Sequence, residues 1–428
     1  SMNWYIQDKI EFSDMVINVG LRYDRLDPNS TYPDPTRELG YEYMDDSGIA
    51  HIIEPSELSQ LTEQEKETLK WGYMERDSEG NLASFTSAPK APVKDQWSPR
   101  LGIGYPITDR TAFHFSYGQF YQFPDLINMY NYSNYQGHNG RPPGWSDEAN
   151  SMAQDFLYGN PYYPFPYNIT DWYIPEVGTP NVNPQRSTQY EIGLRTRIGN
   201  QYLLTINLYY KDMFDYIASK RYDADPSQYA IYENMDYANS RGLEMSFQKL
   251  YSAGLDWEVN YTLSRAEGNA PTSDYHWYVA EWANGYDWQD FNHTYTMPWD
   301  QTHNINFRLN YIAPSGLGLS MIGSYGSGFP YTPEDARARP IDKQYSGRMP
   351  STSNVDLKLY YDLKMKNLDI RLFGDISNAM NKANVLAVDN TTGEPDATLD
   401  SGQPAIYVWK PYYFSPPRHI EIGISVAY

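Results

Sequence analysis

The chain has 428 residues, a formal net charge of −21, no cysteine and 42 tyrosines. The excess of acidic residues argues against nucleic acid as a partner, and the lack of cysteine excludes disulfides, thiolate metal ligands and a cysteine nucleophile. Abundant tyrosine combined with a low mean hydropathy is typical of β-sheets with one lipid-facing and one water-facing surface.

The first residues carry no targeting pattern. The opening SMNWYIQDKI lacks the basic region and the apolar stretch of a signal peptide. Nowhere does the chain contain a run of about eighteen apolar residues that would form a transmembrane helix. We interpret residues 1–2 as an expression scar and residues 3–428 as one domain, and we expect the natural protein to begin upstream of Asn3.

Strict alternation of apolar and polar residues recurs along the whole chain. A period of two indicates strands with one apolar and one polar face. The pattern continues to the last residue in RHIEIGISVAY. About thirteen strands are predicted in this way, at 3–12, 17–23, 101–105, 113–117, 190–195, 202–208, 243–247, 257–263, 305–311, 317–321, 355–361, 368–372 and 419–428.

Short and long connections alternate between the predicted strands. The short ones, FSD, TDR, GN, YSAG, PSG and KN, contain the residues that tight turns require. In an up-and-down sheet, this alternation places all short connections at one end and all long connections at the other. The pattern predicts an all-β fold, an antiparallel up-and-down transmembrane β-barrel with short periplasmic turns and long extracellular loops. A soluble β-sandwich or propeller is the alternative. The long connections are predicted at 28–94, 121–186, 218–230, 266–301, 331–351 and 379–416.

One long connection contains a helix signal. In LTEQEKETLKWG, Thr62 is suited to cap the helix N-terminus, Glu65 would close a capping box, and Gly72 follows the predicted end. We predict a short, solvated helix without a functional role.

The strand directions predict an odd number of strands. If the short turns face the periplasm, the first and the last strand both run inward, which requires an odd count. Bacterial single-chain outer-membrane barrels have an even number of strands, and an unpaired edge is costly in lipid. We therefore expect further strands before Asn3. A single miscounted strand would instead allow a closed barrel of fourteen.

Five stretches of the chain carry a resemblance to a known family. They are WSPRLGIGYPITDRTAFHFSYGQFYQFP (97–124), NPQRSTQYEIGLRTRIGNQYLLTINLYYKDMFDYI (183–217), YENMDYANSRGLEMSF (232–247), SNAMNKAN (377–384) and the terminal RHIEIGISVAY. In order and combination they resemble the carboxyl-terminal barrel of TonB-dependent outer-membrane receptors, in particular those of Bacteroidetes-like bacteria. The second of these stretches is similar to the family's most recognisable hairpin, which begins Asn-Pro-Glu, and Gln185 replaces that Glu here.

The resemblance implies a plugged barrel of about twenty-two strands, of which this chain would hold the last thirteen. It implies a receptor that takes up a scarce nutrient (a glycan, a peptide or a siderophore-like ligand) by active transport, coupled to the TonB energy complex through the missing plug. Further implied partners are outer-membrane lipid and lipopolysaccharide, the barrel-assembly machinery and a surface lipoprotein. The alternatives are a passive porin-like channel and a soluble β-sheet binding module.

The last predicted strand ends on an aromatic residue. In the family, a final strand ending in Phe, Tyr or Trp resembles the signal that is read by the machinery inserting outer-membrane barrels. The residues that fit this membrane-assembly signal are Ile422, Ile424, Val426 and Tyr428. Tyr428 would also suit the aromatic girdle at the membrane interface, and the two roles are compatible.

Aromatic residues are concentrated in two long connections, 121–186 and 266–301. Their side chains could stack on a sugar, a peptide or an aromatic siderophore. Alternatively, they pack loop against loop or join the upper aromatic girdle. The candidate ligand-binding residues are Trp145, Tyr162, Tyr163, Trp172, Tyr173, Trp277, Trp282, Trp288 and His293.

No cofactor, metal site or catalytic site is predicted. Residues 389–400 are rich in side-chain oxygens but lack the spacing of an EF-hand, so we predict a solvated acidic turn. Three histidines that share one region lack the short spacing of zinc ligands; these are His276, His293 and His303. Because no nucleophile elbow occurs either, we do not expect an enzyme.

Overall fold

Antiparallel strands form most of the computed structural model. The structure describes residues 1–32, 38–54, 57, 60–130, 176–222, 229–270, 294–335, 341–365, 368–395 and 410–427. The strands are β1 (Met2–Phe12), β2 (Met15–Leu26), β3 (Glu38–Met44), β4 (Ala50–Ile53), β5 (Lys70–Arg76), β6 (Leu82–Ser87), β7 (Lys94–Thr108), β8 (Thr111–Gln122), β9 (Glu176–Val177), β10 (Gln185–Ile198), β11 (Tyr202–Tyr222), β12 (Tyr229–Ser252), β13 (Leu255–Gly268), β14 (Tyr295–Thr296), β15 (His303–Ile312), β16 (Leu317–Gly326), β17 (Pro330–Tyr331), β18 (Gly347–Arg348), β19 (Thr352–Met365), β20 (Leu368–Ser377) and β21 (His419–Ala427).

Thirteen of these strands form one up-and-down sheet. Their order is β1-β2-β7-β8-β10-β11-β12-β13-β15-β16-β19-β20-β21, and each pairs with the next long strand along the chain. Two short strands extend this sheet, since β9 pairs with β12 and β14 pairs with β13. The predicted all-β fold and the predicted thirteen strands are therefore confirmed.

The two outermost strands of this sheet have an uncovered edge. Within the part of the chain that the structure describes, β1 and β21 each pair on one side only. All residues of β1 are exposed, so both faces of this strand are uncovered. The described sheet is thus open.

The strand register separates an apolar face from a polar face. The apolar face is itself exposed, with Leu208 at 52% and Ile422 at 83% of its surface accessible. A soluble protein rarely leaves so large an apolar surface in water, so this face requires an apolar environment. One row of the face runs across six strands as Ile17, Ile103, Phe115, Ile192, Leu208 and Leu243.

Tight turns join the strands at one end of the sheet, which we call the short-turn end. Gly316 shows why the turn residues matter: its φ is +91°, and a Cβ atom there would lie 2.6 Å from the carbonyl oxygen of Asp362. Both the left-handed backbone and the close approach favour glycine over any residue with a side chain.

The long connections gather at the opposite, long-loop end. One of them folds into a separate four-stranded sheet of order β4-β3-β5-β6. The helices α1 (Glu63–Glu67) and α2 (Leu126–Tyr130) are both short, and none of the described helices is long and apolar enough to cross a membrane.

The predicted helix and its capping box are confirmed, but its predicted end is wrong. Thr62 caps α1 and Glu65 completes the capping box. The helix stops at Glu67, and Gly72 lies inside β5. Residues 70–76 pair with β3 and β6, so a sheet partner decides their conformation.

The described residues of the long connection predicted at 218–230 are strand, so this prediction is wrong for them. β11 continues to Tyr222, and β12 begins at Tyr229. Beyond an irregularity between Met213 and Ile217, the two strands continue to pair with each other toward the long-loop end. The two strands satisfy each other's backbone hydrogen bonds here, so this extension forms without a long alternating pattern in the sequence.

All of the buried apolar side chains among the described residues lie at the long-loop end. One group of them consists of Met129, Val182, Ile217 and Tyr232, with Leu26 and Tyr130 packed against it. We call this end the platform, comprising the described residues of 27–93, 123–130, 176–184, 214–238, 266–302, 327–351 and 378–418; the rest of the thirteen-stranded sheet is the wall.

Candidate functional site

All predicted ligand-binding residues lie outside the described part of the chain. They belong to two segments, 131–175 and 271–293. The structure does describe the residues at both ends of each segment. The platform holds these ends through the contacts that follow.

The helix α2 leads into segment 131–175 and is fixed by packing. Met129 is 1% exposed within the apolar group of the platform. The Tyr130 hydroxyl donates to the Pro28 carbonyl over 3.0 Å. The Thr179 N–H donates to the Asn128 carbonyl over 3.0 Å, which ties the two ends of the segment together.

The chain that follows segment 131–175 is attached to β12. β9 pairs with β12 in parallel. The Asn183 N–H donates to Oδ1 of Asn234 over 2.6 Å, and Asn234 donates back to the Asn183 carbonyl. Asn234 also donates to the carbonyl of Asp215, where the backbone has a φ of +60°.

A buried lysine holds the same chain segment from the side. Lys94 is 4% exposed, and its Nζ donates to the Asn181 carbonyl over 2.7 Å. Its second acceptor is Oδ1 of Asn183.

Segment 271–293 starts and ends above β13. The Tyr237 N–H donates to Oδ1 of the buried Asn269, and the Tyr295 hydroxyl donates to the Asn269 carbonyl. Met297, fully buried, donates its N–H to the Ala266 carbonyl over 2.9 Å. Both ends of this segment are thus fixed to the same two strands.

A buried carboxylate links this region to the next long connection. Asp300 is 2% exposed. Its carboxylate accepts hydrogen bonds from the Ala266 N–H and from Nη2 of Arg348, each over 2.7 Å. A hydrogen-bonded ion pair of this kind fixes the geometry of the loops it joins.

The described residues beside the two aromatic segments are attached to the neighbouring strands β12 and β13. β12 pairs with β13 along Ala238–Ser252. Farther out, β9 pairs with Ala230 and Ile231 of β12 while β11 occupies the opposite edge, so β9 lies on the same edge of β12 as β13, seven residues beyond the last pair between them. β14 pairs with the other edge of β13. One strand pair of the platform therefore holds described residues next to both segments.

The polar face of the wall is lined by charged pairs. Arg308 lies between Asp256 and Glu258, at 3.8 and 3.6 Å. Arg371 pairs with Asp362 at 2.6 Å. A face of this kind suits water or a polar domain, and not lipid.

The stretch SNAMNKAN folds the last long connection. The Asn378 side chain accepts from the Lys382 N–H and donates to the carbonyls of Lys382 and Pro416. Asn384 and Ser353 exchange two hydrogen bonds of 2.8 Å. In the sequence, this stretch is recognised only by its resemblance to the family. Its high content of asparagine indicates a turn that is held by side-chain hydrogen bonds.

The predicted acidic turn has the hydrogen bonds of a turn. Asp389 accepts from the N–H and the hydroxyl of Thr391 and from Nζ of Lys410. These bonds, that from the Thr391 hydroxyl above all, lower the pKa of the Asp389 carboxyl. Asp396, His276 and His293 lie outside the described residues, within which no group of three potential ligands could hold a metal.

The final strand presents most of its predicted assembly signal. Ile422, Ile424 and Val426 lie on the apolar face of β21 and are 83, 62 and 51% exposed. They pair with Gly374, Leu372 and Ile370 of β20. Tyr428 lies outside the described residues.

Comparison with known proteins identifies one family. The family model for the TonB dependent receptor-like β-barrel matches residues 1–379, whereas no curated protein sequence matches the chain. Among solved structures, the chain is similar to the ferric-catecholate import receptor Fiu of E. coli K12, with 15% identity, a TM-score of 0.48, and coverage of 99% of this chain and 44% of that one.

Two further structures have comparable similarity. The FrpB iron transporter of Neisseria meningitidis is 12% identical with a TM-score of 0.46, over 89% of this chain and 41% of that one. The outer membrane transporter YddB of Escherichia coli is 12% identical with a TM-score of 0.47, over 90% of this chain and 51% of that one. The chain therefore spans about half the length of these structures, and the family assignment rests on the family model alone.

Proposed function

Because the chain belongs to the TonB-dependent receptor family, whose members are β-barrels of the bacterial outer membrane, we propose that it is part of a receptor that imports a scarce nutrient by energy-coupled transport. The apolar face of the wall contacts lipid, and the polar face lines the barrel lumen. The short-turn end faces the periplasm, and the platform is extracellular. A soluble binding module does not agree with this membrane location.

The attachment of both aromatic segments to neighbouring strands supports a ligand site on the extracellular side. β9 is held by β12 and β14 by β13, at the long-loop end of the sheet. We infer that aromatic residues of both segments bind the ligand, with Trp145, Tyr162, Tyr163, Trp172 and Tyr173 supplied by one of them. The other segment supplies Trp277, Trp282, Trp288 and His293. Stacking aromatics suit a glycan, a peptide or a siderophore-like ligand.

The open sheet supports a larger barrel. Unpaired strand edges are costly in lipid because the bare backbone groups have no water to bind. The unpaired edges of β1 and β21 would be paired by about nine further strands. A plug inside this barrel would contact the charged lumen face and carry the coupling to the TonB energy complex.

Three further partners belong to the same proposal. Ile422, Ile424 and Val426, with Tyr428, would be read by the barrel-assembly machinery. Lipopolysaccharide would surround the outer half of the wall. A surface lipoprotein would cover the platform while ligand is captured.

Uptake by cells tests the transport proposal. A strain lacking the native gene, and the same strain complemented, are supplied with single glycans, peptides or iron siderophores. We expect saturable uptake of one ligand class, lost when the proton-motive force is dissipated. Trp172→Ala and Trp282→Ala should weaken capture, whereas Trp257→Ala in the wall should not. Linear, unsaturable uptake would instead indicate a passive porin-like channel.

The gene upstream of the Asn3 codon tests the larger barrel. We expect an export signal, a plug and about nine strands to be encoded there. A start codon close to Asn3 would contradict this part of the proposal and would favour a smaller barrel with passive function.

A further inference from the structure

Two adjoining hollows lie on the lumen face of the wall, and Phe120 and Gln189 line both of them. Their volumes are about 270 and 320 Å³, so together they fall within the range of about 300–1,000 Å³ that small-molecule sites occupy. Arg100 lines the first hollow and Lys211 the second. Amide and hydroxyl side chains supply further polar lining of the first hollow, from Gln7, Asn18, Gln189 and Ser116.

The two cations belong to a row of lumen-facing residues that contains no acid. Among the described residues, no carboxylate forms an ion pair with Arg100 or Lys211. In the next row toward the short-turn end, Glu191 contacts His114 at 3.4 Å. The strand register aligns the acid-free row across seven strands as Gln7, Gly20, Arg100, Gly118, Gln189, Lys211 and Ser240.

Several other lumen-facing cations are neutralised by the wall itself. Lys358, for example, lies 3.1 Å from the carboxylate of Asp375. The two cations of the hollows differ from these, since each offers its full charge to the lumen. The remaining neutralised cations are Arg22 with Asp24, Arg308 with Asp256 and Glu258, and Arg371 with Asp362.

The guanidinium of Arg100 is held in place by an aromatic ring. Its central carbon lies 4.8 Å from the centroid of the Phe120 ring, which is a cation–π contact. The ring itself lies against Gly118, where a Cβ atom would be only 2.6 Å from it. Stacking occupies one face of the guanidinium and leaves its N–H donors, which lie in the plane, for an anion.

The hollows lie below the first aromatic segment. Gly118 of β8 and Gln189 of β10 pair with each other. This pair lies about 13 Å from the outer ends of the two strands, at about 3.3 Å per residue. Connection 123–184 joins these ends and contains segment 131–175 with its candidate ligand-binding residues. A ligand captured there would meet the hollows on its way into the lumen.

We propose that the imported ligand carries a carboxylate, which binds to Arg100 and Lys211 in these hollows. A guanidinium donates two parallel hydrogen bonds to a carboxylate, and the Lys211 ammonium adds a second positive charge. The net charge of −21 would repel a polyanion, so a ligand with a single charged group fits. Acidic sugars and peptides with a free carboxyl terminus share this chemistry. The inference rests on the proposed function, because it requires a ligand that enters the lumen.

Reductive alkylation of the full-length protein in detergent tests the site. The probe is succinic semialdehyde, whose carboxylate would bind Arg100 while its aldehyde forms an imine with the Lys211 amine and releases water. Cyanoborohydride then reduces the imine to a stable secondary amine. Butanal is the uncharged aldehyde of equal chain length. Peptide mass spectrometry measures the labelling of each lysine by each aldehyde.

We expect the preference for the charged aldehyde to be about tenfold or more greater at Lys211 than at the paired Lys358. Arg100→Gln should remove this preference, whereas Arg308→Gln is the matched control and should retain it. Equal preferences at the two lysines, or an unchanged preference in Arg100→Gln, would overturn the proposal. Absence of labelling at Lys211 by either aldehyde would also overturn it, since another part of the full-length protein would then fill the hollows.

Uptake by cells distinguishes the two sources of the carboxylate. The ligands are a glucuronate-containing disaccharide with its methyl ester, and a tripeptide with its carboxyl-terminal amide. We expect one acidic ligand to be preferred over its neutral form, and Arg100→Gln/Lys211→Gln to raise its half-saturating concentration about tenfold or more. Uptake of neutral forms alone would overturn the inference and leave the proposed function intact. Selective labelling of Lys211 in a protein that imports nothing would do the reverse.

Discussion

The wall and the platform bury their apolar residues in opposite ways. In the platform, apolar side chains point inward, and Met129, Val182, Ile217 and Tyr232 form an ordinary core. In the wall, the apolar residues point outward; Leu208 is 52% exposed. The difference arises because the wall is surrounded by lipid and the platform by water. One chain thus follows two rules of burial, and the change occurs within single strands such as β12.

The two regions also differ in what stabilises them. Each wall strand satisfies its backbone hydrogen bonds through its neighbours, and in lipid an unsatisfied group costs several kcal/mol. The platform depends on apolar packing and on side-chain bonds such as that between Arg348 and Asp300. The wall is therefore expected to tolerate loss of apolar volume better than the platform.

Truncation of an apolar side chain to alanine should affect the stability of the platform and of the wall differently. Met129→Ala is expected to destabilise the platform by about 2–5 kcal/mol, because it opens a cavity that the surroundings cannot fill. Leu359→Ala on the lipid-facing surface opens no cavity, since lipid replaces the missing atoms. Hydrogen exchange of the full-length protein in nanodiscs measures both. Faster exchange at 179–184 is expected for the first variant only, and equal effects would contradict the comparison.

A charge placed on adjacent residues should distinguish the two faces of the wall. Val259 lies midway along the lipid-facing positions of β13, and Asn260 points to the lumen. Val259→Arg is expected to cost about 2–4 kcal/mol near the bilayer midplane. Asn260→Arg is the matched control and should cost far less. Denaturant titration of folding into lipid vesicles gives both values; similar costs would mean that the faces are assigned incorrectly.

Loss of the buried Asp300 carboxylate should destabilise the platform more than loss of an exposed carboxylate. Asp300→Asn removes the charge that Arg348 and the Ala266 N–H contact and should cost the platform about 1–3 kcal/mol. Asp342→Asn, at an exposed position of the same end, should have almost no effect. The hydrogen exchange rates of the Ala266 and Met297 backbone amides measure the difference in stability between the two variants. An unchanged exchange rate in Asp300→Asn would show that the ion pair does not hold these loops.

The smallest effect concerns the pH response of the four-stranded sheet. Burial raises the pKa of Tyr41 to about 12, above the value of about 10 in an unfolded chain. Folding favours the neutral phenol, so its contribution is complete below pH 10 and is lost as the pH rises through 12. The tyrosinate absorbance of the wild type minus that of Tyr41→Phe should titrate near pH 12. A midpoint near 10 would show that Tyr41 is solvated.

The local alternation of apolar and polar residues was sufficient to predict most strands of the wall. The alternation of residues such as Ile420, Ile422 and Ile424 depends only on strand geometry, so strand number and sidedness could be read directly. The tight turns were equally legible, because Gly316 adopts a backbone conformation that few residues tolerate. The capping box at Thr62 and Glu65 is another local signal, and it too was found correctly.

Only the tertiary structure decided how the platform is built. Three features each depend on a distant partner strand: the outward extension of β11 and β12, the position of Gly72 within β5, and the attachment of β9 to β12 and of β14 to β13. The row formed by Tyr190, Tyr210, Arg241 and Arg265 likewise exists only once the register of its four strands is set. Periodicity specifies which face of a strand is apolar, but register and loop contacts are long-range, and a sequence does not display them.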